Sequence, residues 1–272
     1  MMKRFVLNGI VAFASAMASL SVTDATAATL LYSTGFGSPD FVDGPLIGQD
    51  SWAITGTSVV NPLVVSNSLT DGIVTLGSSG QDVRRAFAPS IAGDSVFMSA
   101  TMTLTSANVA GDYFLHLGNN TDGGLFGRIY AKTTGSGFHL ALASSSGAPG
   151  IGAYGTTELP FNTPFSLLAR YDIVSGLAND TGALFINPLD PMGVGDTPEV
   201  NMVNIGADPT TLLSVGLRQG ATTPFGTISN ISVSQVTAIP EPTSMALIGM
   251  VGVAGLAVRY RRKFASSTVV VS

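Results

Sequence analysis

Glutamate and aspartate are the first residues to consider, because paired carboxyl groups can act as acid, base or nucleophile. Cleavage of a glycosidic bond needs two such groups about 5–9 Å apart. Between Thr29 and Ala238 the chain has two glutamates, Glu158 and Glu199, which are distant in sequence. The aspartates lie mostly in segments typical of turns, where Asp is favoured for backbone reasons. We therefore expect no catalytic residue and no enzymatic activity.

The two histidines, His116 and His139, are the next candidates. Each stands among large apolar residues, in Phe-Leu-His-Leu and Phe-His-Leu, and each is therefore predicted to lie on a strand. If these strands are neighbours, both side chains point to one face of a sheet, where they would contact a ligand. The alternative is a sheet histidine that faces solvent or is satisfied by hydrogen bonds. The chain has no cysteine, which excludes a thiol nucleophile and a thiolate zinc site.

Trp52 is the single tryptophan and follows a glycine-rich segment. An exposed indole would stack on a sugar ring, whereas a buried one would pack in the core. We retain Trp52, His116 and His139 as candidate ligand contacts.

Two loops are rich in the oxygen ligands that Ca²⁺ prefers. One contains Asn119, Asn120 and Asp122, and the other contains Asp40 and Asp43. Neither matches a twelve-residue EF-hand loop, and ordinary turn chemistry accounts for both. Calcium is therefore an open alternative, and we assign no metal ligand and no cofactor.

The elements that position these residues are predicted to be β-strands. Apolar and polar residues alternate from Ser95 to Thr105 and from Phe165 to Ile173, as in half-buried strands. Other strand-like segments are Leu30–Ser33, Val59–Val65, Ile73–Leu76, Val83–Phe87, Tyr113–Leu117, Phe126–Lys132, Phe138–Ala143, Ala183–Asn187, Leu212–Arg218 and Thr227–Ser234. The segment from Asn187 to Thr210 is predicted to be a long surface loop. Short strands with tight turns and no amphipathic helix favour two stacked antiparallel sheets.

The charge of this region is strongly acidic. From Thr29 to Ala238 there are six basic and fifteen acidic residues, a net charge of −9, whereas the whole chain carries −5. An acidic surface disfavours nucleic acid and anionic lipid as partners.

The N-terminus has the layout of a secretory signal peptide. Lys3 and Arg4 precede an apolar run from Phe5 to Leu20, and a stretch of small residues follows. The sequence Ala-Thr-Ala before Ala28 fits the cleavage rule, so residues 1–27 are predicted to be a signal helix that engages the secretion machinery.

The C-terminus has the pattern of a membrane segment. Residues 243–260 are largely apolar and, as a helix, span about 27 Å, a marginal length for a bilayer. A basic block follows, which is expected to stay in the cytoplasm with the tail 265–272. This block consists of Arg259, Arg261, Arg262 and Lys263.

The order of parts in residues 239–264 resembles the PEP-CTERM sorting signal of exported bacterial proteins. Pro240, Glu241 and Pro242 match its motif, and the apolar helix and basic block follow. The resemblance implies recognition and processing by an exosortase, a membrane protease or transpeptidase. The three residues are then a signal for another protein. Nine residues follow the basic block, more than is usual for such signals.

A second resemblance concerns the mature N-terminus. Residues 44–52 read Gly-x-Leu-x-Gly-Gln-x-x-Trp after an aromatic first strand, which resembles the opening of concanavalin A-like, LamG-type jelly rolls. The fold implies that the last strand, Gly226 to Val236, pairs near the first. Immunoglobulin-like pairs and other sandwiches are the alternatives. Related glycoside hydrolases carry Glu-x-Asp-x-Glu on one strand, and that pattern is absent here.

The sequence thus predicts an all-β, two-sheet antiparallel jelly-roll sandwich over residues 28–238, flanked by a signal helix and a transmembrane helix. We expect an exported, exosortase-processed protein of the cell envelope or extracellular matrix, with a structural or polysaccharide-associated domain. It would be membrane-anchored only transiently, before it reaches the cell surface or matrix. A lectin-like carbohydrate-binding module is the alternative, and a glycoside hydrolase is a third that the missing carboxylate pair disfavours.

Overall fold

The computed structural model describes residues 28–237, except 59, 68–71, 78, 120–123, 146–148, 150–152, 203, 205 and 221–223. The predicted signal helix and the predicted transmembrane helix both lie outside the described residues. Within the described ranges, no helix has the length and apolar character needed to span a bilayer.

Sixteen strands form two antiparallel sheets in the described part of the chain, which confirms the predicted all-β sandwich. In spatial order, the larger sheet contains β14 (Val200–Asn201), β13 (Thr181–Ile186), β12 (Phe165–Asp172), β7 (Asp94–Ser106), β16 (Phe225–Thr237), β5 (Ile73–Leu76), β4 (Val64–Ser66) and β2 (Gly44–Pro45), and β1 (Thr29–Thr34) also pairs with β16. The seven-stranded sheet contains β11 (Leu159–Pro160), β10 (Gly137–Ala143), β9 (Leu125–Thr133), β8 (Asp112–Gly118), β15 (Thr211–Leu217), β6 (Asp82–Ile91) and β3 (Ala53–Thr55).

The longest alternating segments form the centre of the nine-stranded sheet. The apolar residues of β7 and β12 that share one parity are buried in the core, because successive side chains of a strand point to opposite faces. The two strands pair with each other over eight register positions, from Phe165 opposite Met102 to Asp172 opposite Ser95. The period-two prediction is therefore confirmed for both.

The first and last strands pair, as predicted. β1 lies antiparallel to β16, with Thr29 opposite Gln235 and Thr34 opposite Ile231. The other edge of β16 pairs with β7 along almost its whole length. The final strand is therefore held on both sides in the interior of the sheet.

Two sequence predictions need correction. The segment from Asn187 to Thr210 is not only a loop, because it contains β14, which pairs with β13. In the predicted strand Val59–Val65, strand structure begins only at Val64. Strands of two or three residues, such as β2, β3, β11 and β14, escape sequence analysis because they are too short to show a period.

A bulge in β8 determines which side chains leave the core of the seven-stranded sheet. The register with β9 shifts between Tyr113 and Leu115, so that Phe114 and Leu115 are both fully buried. The extra residue directs Tyr113 and His116 to the opposite side of the sheet from the shared core.

Candidate functional site

The face of the seven-stranded sheet that points away from the core carries aromatic and basic side chains. In β9, Ile129 and Ala131 belong to the core, and the alternating residues face outward. Tyr130 packs in a separate cluster with Ala141 and Ala143, against which Tyr113 and Tyr154 lie. We call six side chains on this face the outer-face cluster: Tyr113, Tyr130, Tyr154, Arg128, Lys132 and Arg218.

Tyr113 is the centre of the outer-face cluster. The guanidinium carbons of Arg218 and Arg128 lie 4.3 Å and 4.7 Å from the centroid of its ring. The ring of Tyr130 is 5.5 Å away, centroid to centroid. Cation–π contacts of this kind are worth about 0.5–1 kcal/mol at exposed sites and more when desolvated. The two arginines and two tyrosines are thus held as one group.

Tyr154 extends the aromatic surface toward β10. The Nζ atom of Lys132 lies 5.5 Å from the centroid of its ring. Gly111 adopts a left-handed φ of 74°, and a Cβ there would collide with the Tyr154 hydroxyl. Burial, with the charge of Asp112 and the neighbouring Tyr130, raises the pKa of Tyr154 to about 12, so its hydroxyl stays protonated.

Two aspartates accompany the cations. Asp112 forms an ion pair with Arg218, and its Oδ1 also accepts a hydrogen bond from the Tyr113 N–H at 2.8 Å. Asp82 Oδ1 accepts the Gln219 N–H at 2.7 Å, and burial raises the pKa of Asp82 although Gln219 and Arg218 oppose the shift. Asp112 therefore orients Arg218, and Asp82 fixes the chain that follows it.

His116 packs beneath Tyr113 of the outer-face cluster, on the same side of the sheet but shielded from solvent. Its side chain is 2% exposed, and its Nδ1 lies 3.0 Å from the Leu117 carbonyl oxygen, close enough for an Nδ1–H to donate to it. Its ring meets Tyr113 edge-on, 5.9 Å between centroids. Gly216 leaves the room that the imidazole needs, since a Cβ there would collide with it. Burial first, and then the charges of Arg128 and Arg218, lower the pKa of His116 to about 4, so the ring is neutral at neutral pH.

The other two predicted ligand contacts are placed differently. β9 lies between the strands of the two histidines, and His139 is half-buried opposite Lys132 on the outward parity. Trp52 is 1% exposed, and its Nε1–H donates to the Tyr32 hydroxyl at 3.0 Å. The indole is thus a core residue with no free face for a sugar, and of the three candidates only His139 lies at the accessible surface.

The two glutamates are close to one segment of the fold. Glu199 accepts hydrogen bonds from the Thr157 N–H at 2.8 Å and the Thr157 hydroxyl at 2.6 Å, and Thr157 directly precedes Glu158. Glu158 itself accepts a bond of 2.5 Å from the Ser136 hydroxyl. Burial alone would raise the pKa of Glu199, but the hydrogen bonds from Thr157 and the charge of His139 lower it overall. Glu199 is therefore kept ionised.

The calcium candidates are only partly visible. Asn120 and Asp122 lie outside the described residues, and Asp43 Oδ1 accepts the Asn67 N–H at 2.6 Å. Asp40 lines a polar cleft of about 440 Å³ with Asp50 and Arg85. Across the described ranges, no three His, Cys, Asp or Glu side chains are grouped so as to hold a metal ion.

The outer-face cluster concentrates the positive charge of the domain. Val83 and Leu217 are opposite each other in β6 and β15, and both side chains belong to the core. The next pair is Arg84 and Gly216, and because successive residues of a strand point to opposite faces, Arg84 faces outward. Four of the six basic residues between Thr29 and Ala238 thus lie on one sheet face: Arg84, Arg128, Lys132 and Arg218. Sequence analysis missed this surface, although the parity of β9 alone places Arg128, Tyr130 and Lys132 together.

The predicted sorting residues lie outside the described residues. These are Pro240, Glu241, Pro242, Arg259, Arg261, Arg262 and Lys263. Residues 238–263 nevertheless match the PEP-CTERM protein-sorting motif as a family. The match confirms the motif, which indicates export with a C-terminal membrane-anchoring signal that an exosortase processes.

Several solved structures resemble the chain in fold, and no curated protein matches it significantly in sequence. An endo-1,3-beta-glucanase from Streptomyces sioyaensis is 14% identical, with a TM-score of 0.42 over 77% of this chain and 97% of the other. The metal-free carbohydrate recognition domain of Emp46p is 12% identical, with a TM-score of 0.39 over 73% and 95%. The VIP36 exoplasmic/lumenal domain, bound to Ca²⁺ and Man₃GlcNAc, is 11% identical, with a TM-score of 0.39 over 74% and 93%. These neighbours include glycoside hydrolases and lectins, and the likeness assigns neither an activity nor a ligand to this chain.

Proposed function

We propose that this is an exported, exosortase-processed protein of the cell envelope or extracellular matrix, whose β-sandwich associates with polysaccharide without cleaving it. In this proposal residues 1–27 are the signal peptide, 28–238 the sandwich, and 239–264 the sorting signal with its transmembrane helix at 243–260. The tail 265–272 remains in the cytoplasm until processing. The outer-face cluster is the surface that contacts the polysaccharide.

The observation that carries this proposal is the presence of two half-buried tyrosines, Tyr113 and Tyr154, on one face, where both pack against the buried Tyr130. Tyrosine offers an apolar ring for stacking and a hydroxyl for hydrogen bonding, which suits a binding surface that is partly exposed to solvent. The neighbouring cations add hydrogen-bond donors around the rings. Ligand-binding sites commonly combine apolar surface with a small number of such polar groups. A face that served only to cover the core would need none of these groups.

The carboxylates of the domain bear on whether the protein could cleave a polysaccharide. A glycosidase needs one carboxylic acid whose pKa is raised so that it can protonate the leaving group. The pKa of Glu199 is shifted the other way, by hydrogen bonds from Thr157. Asp112 is engaged in an ion pair with Arg218. Neither group is suited to act as the acid. The pKa is raised instead at Asp82 and Asp180, but each of these carboxylates accepts a backbone N–H, from Gln219 and Val174 respectively.

A glycan array probed with the full-length chain in detergent micelles tests the proposed surface. We expect binding that falls at least tenfold in Tyr154→Ala. Phe225→Ala is the matched control, because Phe225 is a 44% exposed aromatic on the other sheet. Binding that Phe225→Ala reduces as strongly as Tyr154→Ala would place the contact elsewhere. If no polysaccharide binds at all, a purely structural role replaces the proposal.

The sorting signal needs its own test. Mass spectrometry of the C-terminus of the native protein is expected to show cleavage near Pro240. An intact C-terminus at Ser272 on the exported protein would contradict exosortase processing.

A further inference from the structure

We infer that the outer-face cluster selects acidic polysaccharides, in which sugar rings carry carboxylate groups. This inference rests on the proposed polysaccharide association and adds the chemical class of the ligand. It concerns the cations of the cluster, whereas the proposed function is carried by the tyrosine rings.

The first argument is the distribution of charge. The region from Thr29 to Ala238 carries a net charge of −9, yet four of its six basic residues lie on one sheet face. Two acidic residues, Asp82 and Asp112, lie close to Arg218. Clustered like charges repel each other unless something opposes the repulsion, and a positive surface on an acidic protein attracts and orients anions.

The second argument is the placement of Arg128. Its guanidinium and that of Arg218 both contact the ring of Tyr113, and its Nε–H donates to the Leu125 carbonyl at 3.2 Å. Asp112 pairs with Arg218, whereas no carboxylate among the described residues pairs with Arg128. Among the described residues, the guanidinium of Arg128 is thus oriented by a ring and a carbonyl without an ion pair, which suits it to meet an anion from outside.

The third argument is the chemistry of the partner. The planar fork of a guanidinium matches a carboxylate with two parallel hydrogen bonds, which a neutral sugar does not offer. The half-buried ring of Tyr154, which packs against the buried Tyr130, offers an apolar face of the size of a pyranose ring. A ring that also bears a carboxylate, as in a uronic acid, satisfies both features. A sulfated sugar can also accept two hydrogen bonds from a guanidinium, so a sulfated polymer is the comparison that separates selectivity for carboxylates from general binding of anions.

The test compares acidic polymers with their own neutral forms. Calorimetry in detergent, at constant ionic strength, measures binding of the full-length chain to polygalacturonate and alginate and to their methyl-esterified forms. We expect the acidic forms to bind at least tenfold more tightly than the esters. We also expect added salt to weaken their binding, because exposed charges are screened.

Matched variants locate the effect. Arg128→Gln is expected to reduce affinity for the acidic polymers about tenfold and to leave the esters within twofold. Arg170→Gln is the control, because Arg170 lies on β12 of the other sheet and changes the net charge equally. We expect Arg170→Gln to stay within twofold of wild type for every polymer.

The remaining outcomes separate this inference from the proposed function. If the esters bind as tightly as the acids, or only neutral glycans bind, and Tyr154→Ala removes the binding, the proposed function stands and the selectivity for carboxylates is wrong. Equal affinity for dextran sulfate would show general attraction to polyanions and would also overturn it. If no polysaccharide binds, both proposals fall together.

Discussion

Two regions of the molecule use the same combination of a tyrosine, an arginine and an aspartate. In the inner cluster (Tyr32, Asp50, Trp52 and Arg85), Arg85 lies 4.9 Å over the ring of Tyr32 and pairs with Asp50 at 3.3 Å. In the outer-face cluster, Arg218 lies over Tyr113 and pairs with Asp112. The local chemistry is alike, but the surroundings of the two tyrosines differ.

The difference lies in what each tyrosine is joined to. The Tyr32 hydroxyl donates to Asp50 Oδ2 at 2.9 Å and accepts from Trp52, which lies in the core beside Phe36. Tyr113 instead holds a second guanidinium and stands beside two further tyrosines. The inner cluster therefore ties the first strand to the core, whereas the outer-face cluster collects cations at a surface. The same three residue types anchor a strand in one place and, in our proposal, recognise a ligand in the other.

Trp52→Ala should produce the largest effect and tests the structural role of the inner cluster. Truncation of a fully buried large aromatic residue costs about 3–5 kcal/mol, because transfer energy is lost and a cavity remains. Chemical denaturation of wild type and variant measures the loss. Affinity per folded molecule should be unchanged. A stable variant that had lost its polysaccharide binding would show that the inner cluster serves recognition.

The pH dependence of stability tests the support beneath the outer-face cluster. His116 has a pKa of 6.5 when unfolded and about 4 when folded, so between these values the unfolded state binds the proton. The free energy of unfolding should therefore fall as the pH is lowered from 6.5 to about 4, by up to about 3 kcal/mol from this residue.

The histidine contribution is isolated by comparison with His116→Gln. The unfolding free energy of wild type minus that of His116→Gln should be constant above pH 7. Below pH 6.5 this difference should decrease, because only wild type loses the contribution of the histidine. A difference that stays constant down to pH 4 would contradict the buried, neutral state of His116.

The two tyrosine hydroxyls provide the finest comparison. Tyr32→Phe removes a hydroxyl that bonds Asp50 and Trp52 and should cost about 1–2 kcal/mol, since the buried Trp52 Nε1–H loses its acceptor. Tyr113→Phe keeps the ring over which the guanidiniums lie and should cost less than about 0.5 kcal/mol, as for most surface changes. Equal losses in thermal or chemical denaturation would remove the distinction between the clusters.

The sandwich could be predicted because the long strands have a period of two, although Phe97 and Leu168 break the alternation by packing on the opposite face. β7 and β12 bury every second residue, and that period is visible without a structure. The pairing of β1 with β16 followed from the resemblance to a jelly roll and was also correct. Strands of two residues, such as β14, form only because a neighbouring strand offers hydrogen bonds, which is a tertiary effect.

The candidate site was harder to predict than the fold. One strand, β9, places Arg128, Tyr130 and Lys132 on the same face, which the sequence alone indicates. Arg218 and Tyr154 reach this face only through the tertiary fold, because Arg218 follows β15 and Tyr154 lies in a loop after β10. His116 was noticed for its residue type, yet the bulge in β8 and the glycine at 216 decide that it lies beneath the surface. Histidine and tryptophan attract attention in a sequence, whereas burial, which decides their role, depends on distant segments.

The interior position of β16 has a mechanical consequence. The sorting motif begins at residue 238, directly after this strand ends at Thr237, so a tether to the membrane pulls on β16 along its length. Because β1 and β7 are both bonded to it laterally, that pull is shared in shear by many hydrogen bonds at once rather than peeling an edge strand one bond at a time. The hydrogen bonds of β16 are thus arranged to resist a force that acts on its C-terminal end.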